Sequence, residues 1–543
     1  MFPIQPTKRA LRSRWTQLGF VFCTMTLLWM SSPRDVRADE KQADKLATPR
    51  RPNIIFIMAD DIGFGDLSCQ GAKHVKTPQL DRLAAAGCRF TDAHSPASTC
   101  TPTRRALLTG VYSWRQAMGS SIAPGDAPLT IPPGTTTLPS LLKTAGYRTA
   151  VVGKWHLGLG PAEGGADWNG EITPGPLDIG FDEAFIMPAT GDRVPTVYVR
   201  DRRVVGLDPQ DPIRISYQQK IGTEPTGKEN PELLKLKHTH GHDMTIVNGV
   251  GRIGWMSGGK AARWVDEEMS DRFVSEAIGF VERQANMSNS QPFFLYFSTH
   301  GIHVPRVPHP RFRGTSGCGT RGDAIHELDD AIGQLLGTLD RLKLTDNTLV
   351  IFTSDNGGVM DDGYEDVGRT DYHPNTPWRG TKAQLLEGGH RVPFIARWPG
   401  QIEAGSTSPA LIAHLDLPAS LATLVGTPIP AGECRDSVNV LPALLGRSTQ
   451  GRENFVAHVG GMRGPFGLRS GSWKYIASSD LIGNPPGVKN PAPAKKQAPN
   501  KYVAPQLYNL ATDPGESENL AVTQPEKRAE MAQLLNQILT ADR

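Results

Sequence analysis

Cysteine is scarce in this chain. Its 543 residues hold six: Cys23, Cys69, Cys88, Cys100, Cys318 and Cys434. No two of them stand in the C-x-x-C spacing that a tetrahedral zinc site uses. Excess charge is missing too. The 58 Lys and Arg residues and 55 Asp and Glu residues leave a net charge of +3. Such a balance supplies no overall field for a nucleic-acid backbone, so any anion must be recognised by a local site. No internal repeat is found. Beyond Met30 no apolar run is long enough to span a bilayer, so no stable membrane anchor is expected.

What is there fits a large globular protein. Hydrophobic residues make up 38% and charged residues 21%, and the length is ample for an extensive core. Lys8, Arg9, Arg12 and Arg14 form a basic start, followed by an apolar run from Leu18 to Met30 and then Val36-Arg37-Ala38. Basic, apolar and small residues in that order read as a signal peptide over 1–38, cut after Ala38, which predicts a secreted or periplasmic protein. The run falls short of the ~20 residues of a spanning helix, which favours cleavage over anchoring. Residues 39–51 read as a polar N-terminal arm. Export permits disulfides. The mature chain keeps Cys69, Cys88, Cys100, Cys318 and Cys434, an odd set, so at least one thiol has another fate.

Asn53–Met58 is a short β-branched run that stops at Asp60-Asp61. Similar runs cover 149–152, 293–297, 349–353 and 394–397. Continuous apolar runs of this length suit strands buried on both faces of a sheet. Helical patterns lie between them. Thr77-Pro78 starts one and Gly87 stands where it should stop. Leu328, Ile332, Leu335, Leu336 and Leu339 form one apolar face over 323–342. Alternating strands and helices predict an α/β fold with a large, mixed, mostly parallel sheet flanked by helices. Ligands of such sheets bind beyond the carboxyl ends of the strands, where Asp60-Asp61 and Asp355-Asn356 stand. Residues 160–260, rich in Gly, Pro and charge, read as long surface excursions that choose the substrate. A catalytic domain is expected over 52–425. A smaller C-terminal α+β subdomain is expected over 426–543, with a small antiparallel sheet, an exposed loop at 484–505 and a last helix presenting Met531, Leu534, Leu535, Ile538 and Leu539.

One segment is distinctive: Cys100-Thr101-Pro102-Thr103-Arg104, continuing to Leu107-Leu108-Thr109-Gly110. It resembles the signature of the type I sulfatases, C-x-P-S/T-R followed by L-x-T-G, with threonine where serine is commoner. Other segments resemble the same family in its order. They are Pro52–Gly65, Gly153-Lys154-Trp155-His156-Leu157-Gly158, His303-Val304-Pro305, Thr353-Ser354-Asp355-Asn356-Gly357, and Arg379-Gly380-Thr381-Lys382 leading to Glu387-Gly388-Gly389. Leu507-Tyr508-Asn509-Leu510 with Asp513-Pro514 follows. The resemblance spans about Pro52 to Leu520 and implies an alkaline-phosphatase-like fold. It also implies that a formylglycine-generating or sulfatase-maturating enzyme converts Cys100 to formylglycine, leaving four cysteines.

The chemistry gives that conversion a reason. A sulfate monoester is a stable anion with a poor leaving group, so the site must hold the anion, supply a nucleophile and protonate the leaving oxygen. A serine would leave a sulfated enzyme that is hard to hydrolyse. An aldehyde hydrate has two hydroxyls on one carbon: one attacks sulfur, and the other loses its proton as the carbonyl reforms and sulfate leaves. Asp60, Asp61, Asp355 and Asn356 offer hard oxygen ligands, which suit Ca²⁺ or Mg²⁺ rather than zinc, and the resemblance implies one Ca²⁺ in preference to Mg²⁺. The resemblance implies that modified Cys100 reaches the same ion, which lowers the pKa of the attacking hydroxyl. It also implies that Arg104 holds the hydrate, that Lys154 and Lys382 hold sulfate oxygens, and that His156 is the base for the second hydroxyl. His303 is then the acid or a sulfate donor, with Lys382 sharing the acid role, and His300 either touches the sugar or aryl group or makes a local hydrogen bond. The expected substrate is a sulfated carbohydrate or an aryl sulfate. Three rivals are a phosphate or phosphonate hydrolase on the same fold, which often needs a second metal ion, an inactive glycan-binding protein, and a hydrolase using Cys100 as thiolate.

Overall fold

The computed structural model describes residues 51–287, 291–366, 371–478 and 504–541. The signal-peptide segment, the arm up to residue 50 and nearly all of the 484–505 loop lie outside the described residues. From Arg51 onward the chain forms one compact unit.

The centre is a ten-stranded sheet. Its strands in chain order are β1 (Asn53–Ala59), β2 (Cys88–Phe90), β3 (Arg148–Lys154), β4 (Glu183–Met187), β5 (Val199–Arg200), β6 (Arg203–Val204), β7 (Phe293–Ser298), β8 (Thr348–Ser354), β9 (Phe394–Arg397) and β10 (Ser406–Ser408). The spatial order is β10-β2-β9-β8-β1-β7-β3-β4-β5-β6. Strands β8, β1, β7, β3 and β4 run parallel, while β9 pairs antiparallel with both β8 and β2. The mixed, mostly parallel sheet expected from the apolar runs is therefore present, with its irregularity at the two sides.

Period-two alternation sends neighbouring side chains of each strand to opposite faces. Ile54, Phe56 and Met58 of β1 join one core with Phe294 and Tyr296 of β7, and Ile55 and Ile57 join the other with Leu295 and Phe297. Helices α1 (Pro78–Ala85), α2 (Cys100–Thr109), α3 (Leu138–Thr144), α4 (Met269–Ala285), α5 (Gly319–Arg341) and α6 (Leu417–Val425) close the two cores. Leu107, Leu138, Leu142 and Leu421 belong to the first core, and Leu80, Phe273, Phe280, Leu328, Ile332, Leu335, Leu336 and Leu339 to the second. Each such side chain stabilises by roughly 1.5–3 kcal/mol on burial, so a continuous run like β1 is strongly committed to the sheet centre.

Two local expectations change, and the stop at Gly87 holds. Pro78 does open α1, but Thr77 makes no cap bond to it. The N–H groups of Gln79 and Leu80 instead donate to the carboxylate of Asp329 on α5, at 3.0 and 2.9 Å. Gly87 follows the end of α1 because a Cβ there would come within 2.3 Å of the Ala396 carbonyl oxygen. The stretch 160–260 is not only loop: it contributes β4, β5 and β6 to the sheet. The rest of it holds two-stranded ribbons.

Near the C-terminus, β11 (Asn454–His458), β12 (Phe466–Ser470), β13 (Trp473–Ile476) and β14 (Gln506–Asn509) form a separate antiparallel sheet. Helix α7 (Pro525–Thr540) lays Met531, Leu535 and Ile538 on a core that includes Phe455, Leu468 and Leu507, with Leu534 and Leu539 half-buried beside them. Cys69, Cys88 and Cys434 are free thiols. No helix among the described residues is long and apolar enough to cross a membrane.

Candidate active site

Strands β1 and β8 pair in parallel with Ala59 opposite Ser354. The residues that follow each strand, Asp60-Asp61 and Asp355-Asn356, are consequently delivered side by side, and all four are fully buried. Asp61 takes a left-handed backbone, φ 61°, which turns the chain sharply after the strand. Oxygens of Asp60, Asp61 and Asp355 lie within 4.8 Å of one another. The Asn356 amide donates to Asp61 Oδ1 at 2.7 Å. Its own Oδ1 and Asp60 Oδ1 are buried without a partner. A buried acceptor left unpaired costs about 1–3 kcal/mol, and an all-oxygen set with two such atoms fits a hard divalent cation. Burial pushes the Asp60 carboxyl well above its usual range, reinforced by Asp355. Burial raises Asp61 as well. For Asp355, burial acts upward, but Arg104 and Lys154 outweigh it and hold the carboxyl below its usual value.

Cys100 is the first residue of α2, which ends at Gly110 with φ 63°. Positions four apart share a helix face, so Cys100 and Arg104 point to the same side. A sulfur, oxygen and nitrogen from Cys100, Asp60 and His303 lie within 4.8 Å of one another. Burial pushes the Cys100 thiol up to about 12, opposite to the depressed pKa that a thiolate nucleophile needs. Arg104 donates from Nε and Nη2 to Asp355 Oδ2 at 2.9 and 2.7 Å. Its Nη1 reaches Ser298 Oγ, the Tyr296 hydroxyl and the Lys154 carbonyl. Thr103, at the position where serine is commoner, donates its hydroxyl to the Ala97 carbonyl at 2.9 Å and folds the approach to Cys100.

Lys154 ends β3, and its ammonium bonds Asp60 Oδ2, 3.8 Å from Asp355 Oδ2. His156 has φ 55°. Its Nε2–H donates to the Ala123 carbonyl at 3.0 Å, while Nδ1 is buried without a partner. Burial, with Lys154 and Arg193 nearby, pushes this imidazole well below its usual range. The result is a neutral ring with one bare nitrogen, the form of a proton acceptor.

His303 donates from Nδ1 to the Val304 carbonyl at 2.7 Å. Its Nε2 stands 3.9 Å from both Asp61 Oδ2 and Asp362 Oδ2. Burial, then Lys382 and Lys154, push it well below the usual imidazole range. Lys382 donates to Asp61 Oδ2 at 2.9 Å and Asp362 Oδ2 at 2.7 Å. Burial opposes its charge, but Asp362 and Asp61 outweigh that and keep the ammonium protonated. Asp61, His303 and Asp362 also cluster closely enough to hold a cation, but the Lys382 ammonium already occupies one oxygen of each carboxylate. His300 accepts the Gly191 N–H on Nε2 at 3.0 Å, so it makes the local hydrogen bond.

All the residues expected at the site thus converge on the carboxyl edge of the sheet. Reading the sequence missed Asp362, which touches Lys382, and Ser298 and Tyr296, which brace Arg104. It also missed Asp192, whose carboxylate meets His242 Nε2 at 3.0 Å. The acidic turn Asp361-Asp362-Gly363, shortly after Asp355-Asn356, was the one available signal.

A mostly parallel sheet carrying an oxygen cluster, two lysines and a shielded cysteine at its carboxyl edge fits the alkaline-phosphatase-like fold that the sequence resemblance implies. A family model for sulfatases matches residues 52–427. An N-acetylgalactosamine-6-O-sulfatase of Bacteroides thetaiotaomicron is 48% identical, covering 92% of this chain and 95% of that one. Human arylsulfatase A is 32% identical, with coverage of 91% and 88%. A solved Bacteroides thetaiotaomicron structure, described under metabolism of multiple glycosaminoglycans, superposes with a TM-score of 0.84. It is 48% identical and covers 90% of this chain and 100% of its own. The chain belongs to the sulfatase family, and its activity is the hydrolysis of sulfuric esters.

Proposed function

We propose that this protein removes sulfate from sulfated carbohydrate through a formylglycine made from Cys100 beside one bound Ca²⁺, with a 6-sulfated N-acetylgalactosamine as the leading substrate. The substrate rests on the 48% identical relative, which matches over nearly its whole length. The chemistry rests above all on the placing of a buried, protonated Cys100 against Asp60 and His303. Asp60, Asp61, Asp355 and Asn356 would hold the ion, with the modified side chain of residue 100. The ion would supply Lewis acidity to the nucleophilic hydroxyl. The aldehyde hydrate would supply that hydroxyl, and a second one whose proton leaves as sulfate is expelled.

The chain's own groups divide the remaining work. Arg104, braced by Asp355 and Ser298, holds the side chain at position 100. Lys154 and Lys382 present point charges to the sulfate oxygens. His156 takes the second hydroxyl's proton on its bare Nδ1. His303 Nε2 and the Lys382 ammonium face the leaving oxygen, and its proton comes from that corner. We also assign maturation to a formylglycine-generating or sulfatase-maturating enzyme, and work outside the cytoplasm to removal of residues 1–38. The limits 52–425 and 426–543 are proposed for the catalytic and C-terminal parts.

Mass spectrometry of the peptide containing position 100, from protein made in its native host, is expected to show an aldehyde or its hydrate. An alkylatable thiol in active protein would overturn the mechanism. Turnover of N-acetylgalactosamine 6-sulfate tests the substrate. Hydrolysis of aryl sulfates alone, across a panel of defined sulfated saccharides, would overturn the carbohydrate reading.

A further inference from the structure

The open side of the site carries a carboxylate that the sulfate chemistry does not use. Lys382 is 9% exposed, and of its two carboxylate partners Asp61 is fully buried while Asp362 is 32% exposed. Asp362 is therefore the more exposed member of the pair. Only its Oδ2 is occupied: that atom accepts from Lys382 at 2.7 Å and stands 3.9 Å from His303 Nε2. Among the described residues no protein donor meets its Oδ1.

The turn that bears Asp362 is held from both sides. Arg306 grips the loop just before it by the carbonyls of Val359 and Met360, at 3.1 and 3.0 Å. Asp361 Oδ1 accepts from the Thr239 hydroxyl at 3.2 Å and from the Gly363 N–H at 3.1 Å. The Thr239 N–H bonds the Gly363 carbonyl at 2.9 Å, and the buried Tyr364 hydroxyl donates to the Gly251 carbonyl at 2.7 Å. Gly363 has φ 109°, and a Cβ there would strike the His242 ring at 2.1 Å. The turn is thus locked against the 237–242 segment, and its carboxylate is preorganised, which lowers the ordering cost of any hydrogen bond it accepts.

We propose that Asp362 is a specificity-determining residue, whose free carboxylate oxygen accepts a hydrogen bond from a hydroxyl or amide N–H on the sugar ring that carries the sulfate. The inference rests on the carbohydrate reading above. An anchored carboxylate suits a neutral donor and disfavours a second anion at the same place. An aryl ring offers no such donor, so a site built this way discriminates by leaving Asp362 unpaired when the donor is missing.

The test compares Asp362→Asn with wild type on N-acetylgalactosamine 6-sulfate, galactose 6-sulfate and 4-nitrophenyl sulfate. The substitution is expected to lower kcat/KM on the preferred sugar by a factor on the order of 10 to 100 more than on the aryl sulfate. Wild type is expected to lose a comparable factor when the sugar's donor is removed by deoxygenation or by exchange of the acetamido group. The variant is expected to be indifferent to that change, the signature of a direct pair. The two sugars tell an amide donor from a hydroxyl. Asp362→Ser repeats the comparison should the asparagine variant fold poorly. Equal falls on sugar and aryl substrates would overturn the proposal, because Asp362 would then act only through Lys382. Unchanged selectivity would overturn it too. A wild type that cleaves aryl sulfate but no saccharide defeats the carbohydrate reading itself, a result visible before any variant is made.

Discussion

Arg104 and Asp355 form a wholly buried pair in which two guanidinium nitrogens share one carboxylate oxygen, at 2.9 and 2.7 Å. The pair ties the helix bearing Cys100 to the strand end bearing half of the oxygen cluster. Removing either takes the nearest opposite charge from the other in a dry site, leaving Lys154 at 3.8 Å from Asp355 or Asp60 at 4.0 Å from Arg104. Arg104→Ala should therefore cost about 3–5 kcal/mol of stability, as breaking a buried pair from one side does, and abolish turnover. Arg104→Lys keeps the charge but loses the fork. Its unfolding midpoint in denaturant is expected between those of wild type and Arg104→Ala, with turnover still severely reduced. A stable, active Arg104→Ala protein would show that Asp355 needs no partner.

The two orphaned oxygens, Asp60 Oδ1 and Asn356 Oδ1, give a metal prediction that does not depend on turnover. A ligand that binds only the folded state at a hundred times its Kd adds ~2.7 kcal/mol of stability. Ca²⁺ added to chelator-treated protein should raise the unfolding midpoint by that mechanism. Asp60→Ala and Asn356→Ala should lose most of the response. A midpoint indifferent to Ca²⁺ and Mg²⁺ alike would sink the metal assignment.

His156 offers a way to split the reaction. With Nε2 committed to the Ala123 carbonyl, only Nδ1 can accept a proton. His156→Ala should leave attack on sulfur possible but stall release of sulfate. Mass spectrometry of the protein after brief exposure to substrate is expected to find a sulfate adduct on the position-100 peptide. An adduct-free variant with wild-type turnover would remove His156 from the mechanism.

The parts of this architecture legible in the sequence are those written in one segment at a time. Ile54–Met58 is apolar without interruption because both faces of β1 are covered, and it stops at Asp60 because the sheet stops there. The i, i+4 spacing of Cys100 and Arg104 likewise places both on one helix face. What could not be read depends on partners distant in sequence. Asp329 caps α1 from another helix, and nothing near Thr77 announces it. Asp362 looks like any acidic turn until Lys382 is folded onto it. The short strands β4, β5 and β6, of five, two and two residues, hide among glycines and prolines because runs that short carry little period-two signal.

A pH prediction comes from Glu327 on α5. Burial pushes its carboxyl up to about 7 from an ordinary 4.5, although the His309 N–H donates to it at 3.0 Å. A raised acid binds its proton more tightly in the folded than in the unfolded state. Its contribution is therefore greatest below pH ~4.5 and is lost as pH rises through about 7, at no more than ~1.4 kcal/mol per pH unit. Glu327→Gln keeps an acceptor for the His309 N–H and removes the titration. Compared by thermal unfolding at pH 5 and pH 8, the variant should gain on wild type at the higher pH. The advantage should grow between those values and level off above pH 8. A variant that tracks wild type in parallel across the range would mean that Glu327 titrates alike in both states, and that the pocket around it admits water freely.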